Sequence, residues 1–504
     1  MSEEVNDEQQ LAGIGIAHSV DAIFINSPLK NYDISIRYND FTLPVLGLGY
    51  IATYACAQGF NVAVLDAEAH AMGISRIIAL VNRVRPRWVG LNLLAPTYRY
   101  SVAILQGLDP EIAVMLGGHQ AKAMPERILA DPHIPRIDAL ILGEGEYRVA
   151  ALLQDISRRC ELPGVWWRNQ KGEIFQGTPS SNTTKKYWQA PDINALPFID
   201  RAFLFQDPFT TEDGIIEANL VGSRGCPYDC SFCGAAISAN PDISIRARDP
   251  ENIIGEIEQL ARDYKATTFR FVDDMFLTSL PFIKKCLTTF KSQGIGEHFQ
   301  WDATGRINIL SKTDEALLDL MREAGCREVA LGIESGSERL LNYMRKKITP
   351  DMTKKAVHTL VSRGINVKGY FIFGYPTETR EELQESLRLI YDLWEIADRE
   401  EGTFRCSAFE FRPYPGTPEW NRIMATGRYK EDDLLLYESV DLTSNGLLSE
   451  MLERDEFNFS VNLQFGEVSI SQVRECLTEI MVEQKQRSSV SLDHVQRINL
   501  AMRA

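Results

Sequence analysis

The sequence contains no apolar run that approaches the ~20 residues needed for a helix to cross a bilayer. Its first ten residues, MSEEVNDEQQ, are polar and acidic, unlike a signal or transit peptide. Basic residues are also in deficit, with 53 Lys and Arg against 69 Asp and Glu, and the formal net charge is −16. This balance argues against sequence-independent nucleic-acid binding, which depends on basic patches. We therefore expect a cytoplasmic protein with no membrane span and no nucleic-acid partner.

Cysteine is sparse: the chain has 9 in 504 residues. Six are scattered and the count is odd, which argues against a disulfide framework. The other three, Cys226, Cys230 and Cys233, share one segment with CxxxCxxC spacing. Chance would produce this spacing about 0.003 times per chain of this composition. The nearest other cysteines and histidines in the sequence are His133, Cys160, Cys286 and His298.

The spacing of the three cysteines favours an iron–sulfur cluster. Thiolates are the usual ligands of such clusters, and a cubane with four irons normally takes four of them. Three close ligands with no obvious fourth predict one open iron, which can bind a substrate or cofactor directly. A structural zinc site has four protein ligands, so zinc binding here would require a distant fourth ligand that folding brings into place. That alternative stays open.

The length predicts two or three domains. In residues 15–155, short β-rich apolar runs alternate with helix-like segments, which predicts a doubly wound, Rossmann-like parallel sheet of α/β type. The predicted strands are Ala22–Asn26, Val62–Leu65, Trp88–Leu91, Ile112–Leu116 and Ala139–Leu142. Turn-forming stretches follow four of them: Asn26–Pro28, Asn92–Pro96, Gly117–His119 and Gly143–Glu146. Ordinary turns also use Gly and Pro, but four on one edge favour a ligand there.

This first domain resembles the cobalamin-binding domains that precede radical S-adenosylmethionine (SAM) domains. The resemblance covers nearly the whole domain, although each motif alone is loose. It implies that the loop after the third strand and the paired glycines after the fourth embrace the nucleotide tail of cobalamin. Those roles carry over to Leu93, Leu94, Gly117 and Gly118. The matching stretches are Leu43–Tyr50, Val64–Glu68, Val89–Leu93, Leu116–His119 and Leu142–Glu146.

His70 has two interpretations. Glu68-Ala-His70-Ala-Met-Gly73 looks like the DxHxxG motif by which some cobalamin enzymes ligate cobalt, with Glu in place of Asp. In those enzymes the motif follows the first strand, whereas here it follows the second. His70 is therefore either a cobalt ligand or a residue of the loop or helix cap.

Residues 156–214 are predicted to be a linker with a hairpin, and the alternation of strands and helices resumes over 215–420. Six strand–helix units in this part predict a partial (β/α)6 barrel, with its chemistry at the carboxyl ends of the strands. The predicted strands are Ile215–Val221, Thr268–Val272, Gln300–Thr304, Glu328–Gly332, Lys368–Phe373 and Ser407–Phe411. Residues 421–504 form a small, mostly helical C-terminal region that we expect to cap the barrel.

Polar or glycine-containing segments follow each of these strands. The cysteine segment, with Phe232 before its third cysteine and Gly234 after it, looks like the radical SAM signature. The match spans nearly all of 216–420. It extends through Arg248–Glu256, Phe271–Phe276, Leu331–Ser337 and Phe371–Thr379.

The resemblance implies a role for each strand end. Asp273 and Asp274 would receive the amine of SAM, and the backbone around Gly374 would meet its adenine. Glu334 and Ser335 would contact the ribose or carboxylate, and Arg306 is a further candidate for this contact. In the alternatives, Asp274 caps a helix and Arg306 pairs with a neighbouring carboxylate.

The two resemblances together imply three cofactors: a 4Fe-4S cluster held by Cys226, Cys230 and Cys233, SAM and cobalamin. They imply methylation of an unactivated carbon of a small molecule through methylcobalamin and a 5′-deoxyadenosyl radical. They also imply an external one-electron reductant such as a flavodoxin or ferredoxin, and two strand-end faces that meet across the substrate.

Three other functions stay open to different degrees. One is a cobalamin-assisted radical cyclase, oxidase or deoxygenase without methyl transfer. A second is a non-catalytic cobalamin or iron–sulfur module, against which the complete ring of strand-end residues argues. A methylthiotransferase is disfavoured because residues 1–200 contain only Cys56 and Cys160, too few for a second triad.

Overall fold

The computed structural model describes residues 7–13, 19–36, 43–178, 192–211, 213–240, 244–439 and 459–501, with side chains to residue 487. The chain divides into two compact units. The first comprises 1–228, 232–266 and 414–425, and the second comprises 229–231, 267–413 and 426–504. Parts of the predicted C-terminal region, 440–458 and 502–504, lie outside the described residues. A search of the described residues for a helix long and apolar enough to span a membrane finds none.

The first unit contains the predicted parallel sheet. Its strands are β1 (Ala22–Asn26), β2 (Val62–Asp66), β3 (Trp88–Asn92), β4 (Ala113–Gly117), β5 (Ile137–Ile141), β6 (Val165–Arg168) and β7 (Ile174–Gln176). They lie in the order β2-β1-β3-β4-β5-β6-β7. The first five pair in parallel, whereas β6 and β7 form an antiparallel hairpin that extends the sheet beyond β5.

Both faces of this sheet are buried, as near-continuous apolar strands require. Ile23 and Ile25 belong to one hydrophobic cluster, and Ala22 and Phe24 belong to another. Because successive side chains of a strand point to opposite faces, the two clusters lie on opposite sides of the sheet. The helices of this unit are α1 (Leu46–Ala57), α2 (Ile74–Val84), α3 (Tyr98–Gln106), α4 (His119–Ala123), α5 (Pro125–Ala130), α6 (Glu146–Gln154), α7 (Pro250–Tyr264) and α15 (Pro418–Ala425).

The first unit also contains two short strand pairs. β8 (Phe209–Thr210) pairs antiparallel with β9 (Ile216–Leu220), which corresponds to the first strand predicted for the barrel. β10 (Ser223–Arg224) pairs with β11 (Arg246–Ala247). The three cysteines lie between β10 and β11, so this pair forms the base of the cysteine loop. The 3₁₀ helices within the described part of this unit are Asp7–Gln10, Ala95–Thr97, Ile156–Cys160 and Arg201–Phe203.

Five parallel strands form the sheet of the second unit. They are β12 (Thr268–Phe271), β13 (Gln300–Gly305), β14 (Cys326–Glu334), β15 (Asn366–Phe373) and β16 (Phe404–Glu410), in the order β16-β15-β14-β13-β12. Helices lie between successive strands, as in a partial α/β barrel. The helices are α8 (Leu280–Ser292), α9 (Ile295–His298), α10 (Ile307–Leu310), α11 (Glu315–Glu323), α12 (Glu338–Tyr343), α13 (Pro350–Val361), α14 (Arg380–Ala397), α16 (Glu431–Leu434) and α17 (Ile470–Ala501). A final pair is β17 (Glu438–Ser439) and β18 (Phe459–Ser460).

The C-terminal helix α17 contacts the last strand of this sheet. The side chain of Gln484 accepts a hydrogen bond from the Cys406 backbone at 2.8 Å and from the Trp394 indole at 3.3 Å. The first contact satisfies a backbone donor of β16 that an uncovered edge strand would expose.

A buried ion cluster fastens the last part of the predicted linker to α7. Arg201 pairs with Asp207 and donates to Glu256 at 3.0 Å, and Arg248 donates to the other oxygen of Glu256 at 2.5 Å. All four side chains are almost completely buried. Removing one partner from such a cluster leaves an uncompensated charge in a low-dielectric interior.

Glu256→Ala should therefore lower the free energy of unfolding by about 3–5 kcal/mol. Chemical denaturation followed by intrinsic fluorescence measures the change. The matched control is Glu258→Ala on the exposed side of α7, which should shift it by less than about 0.5 kcal/mol. Equal losses in the two variants would contradict the assignment.

Candidate cofactor-binding site

The carboxyl ends of β3 and β4 join into one loop system in the first unit. The Leu93 amide donates to the Gly117 carbonyl at 2.7 Å, and the Gln120 amide donates to the Leu93 carbonyl at 3.0 Å. Leu93 is buried, whereas Leu94 is half-buried. The structure thus brings Leu93, Leu94, Gly117 and Gly118 together at one edge of the sheet.

The two glycines of this loop have different surroundings. Gly118 adopts φ of +94°, and a Cβ there would come within 2.2 Å of the Asn92 side chain. At Gly117 an added Cβ would meet only the Ile141 carbonyl, at 3.7 Å. The protein therefore leaves space beside Gly117. A further feature is Gln120, whose side-chain oxygen is buried without a hydrogen-bond partner among the described residues. Open space and an orphaned acceptor fit an amide-rich ligand such as cobalamin.

His70 lies in the turn after β2. Its ring centroid is 4.6 Å from that of Phe205, and its amide donates to the Asp66 carbonyl at 3.1 Å. The neighbouring Glu68 carboxylate accepts from the Leu29 amide at 2.7 Å and from the Tyr32 hydroxyl at 2.8 Å. Glu68 thereby fixes the loop after β1. Cobalt ligation by His70 stays a prediction.

The three cysteines differ in exposure within their loop. Cys230 is buried, and Cys226 and Cys233 are half-buried. None of the nine cysteines, all within the described ranges, forms a disulfide. Across those same ranges, no group of three or more His, Cys, Asp or Glu side chains lies ready to hold a metal ion. The donor types, three thiols in one loop, fit an iron–sulfur cluster.

Arg306, which follows β13, contacts the middle of this loop. Its guanidinium is buried and donates to the Cys230 sulfur at 3.2 Å and to the Lys346 carbonyl at 2.5 Å. The structure thus places Arg306 against the expected cluster ligand itself.

Further contacts hold residues 229–231 within the second unit. The Ser231 amide donates to the Met344 carbonyl at 3.0 Å, and Arg345 pairs with Asp229 at 2.7 Å. The Ser231 hydroxyl lies 2.9 Å from the hydroxyl of Tyr375. Arg345 has φ of +58°, a left-handed conformation that costs energy for a residue with a side chain. Such strain persists where the surroundings over-determine the backbone, as they do here.

Asp273 and Asp274 follow β12. Asp273 is buried and its carbonyl accepts from the Thr304 hydroxyl at 3.1 Å, whereas Asp274 is exposed. The next helix, α8, begins after Ser279, which occupies its N-cap position. The alternative in which Asp274 caps that helix is therefore excluded.

Glu334 and Ser335 lie at the carboxyl end of β14. Glu334 is buried with φ of +69°, and its carboxylate accepts from the Lys346 ammonium at 2.6 Å. The Ser335 hydroxyl is enclosed by protein, accepts from the Ser337 amide at 3.0 Å and lies 3.1 Å from the Ser386 hydroxyl. The Glu334 carboxylate is thus paired with Lys346, and the Ser335 hydroxyl is used by protein partners.

Gly374 lies directly after β15 and has φ of +73°. Its amide donates to the Glu378 carboxylate at 2.6 Å. Glu378 is fully buried, and its second oxygen lacks a hydrogen-bond partner among the described residues. Burial raises the pKa of Glu378 to about 7, against the opposing effect of the backbone donors at Gly374 and Tyr375.

Sequence patterns did not identify several of these contact residues. Lys346 lies in a run of three basic residues, Arg345–Lys347, which resembles an exposed surface segment. Ser231 occupies a position between Cys230 and Cys233 whose residue type the CxxxCxxC spacing does not specify. Glu378 belongs to a recognised stretch, but no local pattern indicates that its carboxylate is buried.

Glu378 should make stability depend on pH. Because the pKa of Glu378 is about 7 in the folded protein, above the ordinary glutamate value of 4.5, its stabilising effect is complete below pH 4.5 and is lost as pH rises through about 7. Glu378→Gln keeps a hydrogen-bond acceptor but cannot ionise. As pH rises, its free energy of unfolding should therefore fall by about 3 kcal/mol less than that of the wild type. Denaturation between pH 4.5 and 8 measures the difference. Glu381→Gln, at an exposed position, should retain the wild-type pH profile.

Two family models match different parts of the chain. The radical SAM superfamily model matches residues 220–390, and the B12 binding domain model matches residues 36–153. The first range contains the cysteine loop, Arg306, Glu334 and Gly374. The second contains the loops at Leu93 and Gly117. The candidate residues of each cofactor therefore fall inside the matching domain.

Known proteins are similar over most of the chain. An uncharacterized methyltransferase of Pyrococcus horikoshii is 28% identical over 405 residues, covering 79% of this chain and 83% of the relative. The anaerobic magnesium-protoporphyrin IX monomethyl ester cyclase of Rubrivivax gelatinosus is 26% identical, covering 69% and 62%. The solved structure of the radical SAM methyltransferase TsrM from Kitasatospora setae, with cobalamin and a 4Fe-4S cluster bound, aligns with a TM-score of 0.61 at 19% identity, covering 81% and 75%.

The structural likeness confirms the predicted fold class, a Rossmann-like domain followed by a radical SAM partial barrel. The two domain matches confirm the three predicted cofactors, a 4Fe-4S cluster, SAM and cobalamin. The chain is a radical SAM enzyme. It belongs to the cobalamin-dependent radical SAM family.

Proposed function

We propose that this enzyme methylates an unactivated carbon of a small molecule. The observation that carries the proposal is the presence of both a B12 binding domain and a radical SAM domain in one chain. When bound, the cluster with SAM supplies a radical that removes hydrogen from carbon, and cobalamin supplies a methyl group. The methyltransferase names of the relatives favour this outcome.

The cysteine loop provides the cluster ligands in this proposal. Cys226, Cys230 and Cys233 bind iron as thiolates. Arg306 holds the Cys230 sulfur in place and offsets its negative charge. Because this guanidinium is buried, its charge acts through a low-dielectric medium and is worth more than at the surface.

The strand ends of the second unit are proposed to bind SAM. Asp273 and Asp274 would receive the amine of SAM. Glu334, whose carboxylate accepts from Lys346, would contact the ribose or carboxylate of SAM. Ser335 contributes through its backbone, because its hydroxyl is enclosed by protein. The amide of Gly374 is already used by Glu378, so the backbone carbonyls near Gly374 are left to meet the adenine.

The first unit is proposed to bind cobalamin through Leu93, Leu94, Gly117 and Gly118. Their backbones form the joined loops after β3 and β4, where side chains leave room beside Gly117. Catalysis also requires an external one-electron reductant such as a flavodoxin or ferredoxin. A reducing, cytoplasmic setting belongs to the proposal, because the thiolate ligands must stay reduced. Nucleic acid is not expected as a partner, given the net charge of −16.

A second function is favoured by one observation, the cyclase name of a relative. In that case the radical step proceeds without methyl transfer. Anaerobic turnover with SAM, cobalamin, reductant and candidate substrates separates the two. Equal amounts of 5′-deoxyadenosine and S-adenosylhomocysteine, with a product heavier by one methyl group, would establish methylation. Formation of 5′-deoxyadenosine without S-adenosylhomocysteine would instead establish the second function.

The triple variant C226A/C230A/C233A should lose the cluster and all formation of 5′-deoxyadenosine, because it lacks every proposed iron ligand. Cobalamin binding should persist. Iron analysis, electron paramagnetic resonance and absorbance titration measure these properties. The control C56A/C160A removes two exposed thiols and should keep the cluster. A triple variant with wild-type iron content would refute the ligand assignment.

Gly117→Ala should weaken cobalamin binding about tenfold or more, since a methyl group would occupy space that the protein leaves open. Thermal stability should change little because the Cβ meets no side chain of the protein within 4 Å. Equilibrium titration of the full chain tests this. Gly47→Ala, on α1, is the control, since its Cβ also meets nothing. Unchanged affinity in Gly117→Ala would place cobalamin elsewhere.

A further inference from the structure

The loop after β5 contacts the base of the cysteine loop within the first unit. Glu146 accepts from Arg224 at 2.6 Å, and Glu144 lies 3.3 Å from the same guanidinium and also pairs with Arg246. Arg224 belongs to β10 and Arg246 to β11, which are the two strands that close the cysteine loop. We refer to Glu144 and Glu146 together as the carboxylate clamp.

The two arginines need this clamp. Arg224 and Arg246 are directly opposite each other in the β10–β11 register. Like charges at opposed positions repel and destabilise a strand pair. The carboxylate clamp converts that repulsion into three attractive contacts. Because the clamp side chains are only 13% and 4% exposed, water screens these contacts little.

The clamp itself is rigidly built. The Arg148 guanidinium donates to the Leu142 and Glu144 carbonyls at 3.0 and 2.9 Å. These hydrogen bonds hold the backbone of the loop after β5. Gly143 has φ of +97°, a conformation that glycine adopts without strain. On the other side, Arg224 packs over the Tyr50 ring at 5.0 Å. Burial opposes the charge of Arg224, but Glu146 and Glu144 outweigh it and raise the pKa of this guanidinium.

We propose that Glu144 and Glu146 are positioning residues that set the cysteine loop against the cobalamin-binding sheet. The clamp follows β5 of the sheet that carries the proposed cobalamin loops, and it grips the two strands from which the cluster ligands extend. It therefore determines the separation of the two metal centres without touching either cofactor. This inference rests on the proposed function for its consequence, but the clamp itself can be tested separately.

The test compares the wild-type full chain with E144Q/E146Q by two readouts. Hydrogen exchange at 222–225 and 246–248 reports whether the strand pair opens, and the variant should exchange about tenfold faster or more. In protein loaded with reduced cluster and cob(II)alamin, the spin–spin coupling measured by electron paramagnetic resonance reports their separation. It should be weaker or broader in the variant, while iron and cobalamin contents stay at the wild-type level.

Two further variants make the test specific. D109N/E111Q also removes two carboxylate charges, but from ion pairs with the exposed Arg85 elsewhere in the same unit. This variant should match the wild type in both readouts. The charge-swapped pair R224E/E146R should restore protection relative to R224E alone, because the ion pair re-forms with reversed polarity.

Wild-type exchange and coupling in E144Q/E146Q would overturn the proposal, as would no rescue by the swapped pair. Wild-type protein that takes up no cobalamin would instead refute the proposed function, while the exchange readout would still decide whether the clamp holds the strand pair.

Discussion

The contact between a buried guanidinium and a cysteine sulfur determines the shape of the candidate site. Arg306 reaches both Cys230 and the Lys346 carbonyl, so one side chain ties the cysteine loop to the loop after α12. The same Lys346 neutralises Glu334 at the end of β14. Removing Arg306 would therefore disturb the expected cluster ligand and, through Lys346, the charged strand end beside it.

The cysteine loop has little regular structure of its own and is held by contacts at its base and at its middle. Its base is held by the carboxylate clamp, and its middle is held by Arg306, Arg345 and the Ser231–Tyr375 hydroxyl pair. A cluster assembled there meets a loop whose backbone is already held in place by these contacts. Preorganised surroundings of this kind keep a reactive centre in one geometry.

The sheets could be predicted from local sequence because a strand has a local signature. The predicted Ala22–Asn26 agrees with β1 in full, and Lys368–Phe373 lies within β15. Strand β14 is longer than predicted at both ends, since Cys326 and Glu334 are ladder residues although neither has a strand-forming side chain. The predicted linker hairpin, Val165–Phe175, corresponds to β6 and β7, which continue the first sheet, because pairing with β5 is a contact that periodicity does not reveal.

The sequence alone indicated which residues lie near the strand ends, because short apolar runs mark the strands. The close cysteine spacing indicated an iron–sulfur cluster, and the family resemblance implied SAM and cobalamin. Only the tertiary structure decided the contacts between those ends. Arg306 and Cys230 are 76 residues apart, and Arg224 and Glu146 are 78 apart. Propensity and periodicity act over a few residues, whereas such pairs form only once parallel strands bring distant loops to a common edge.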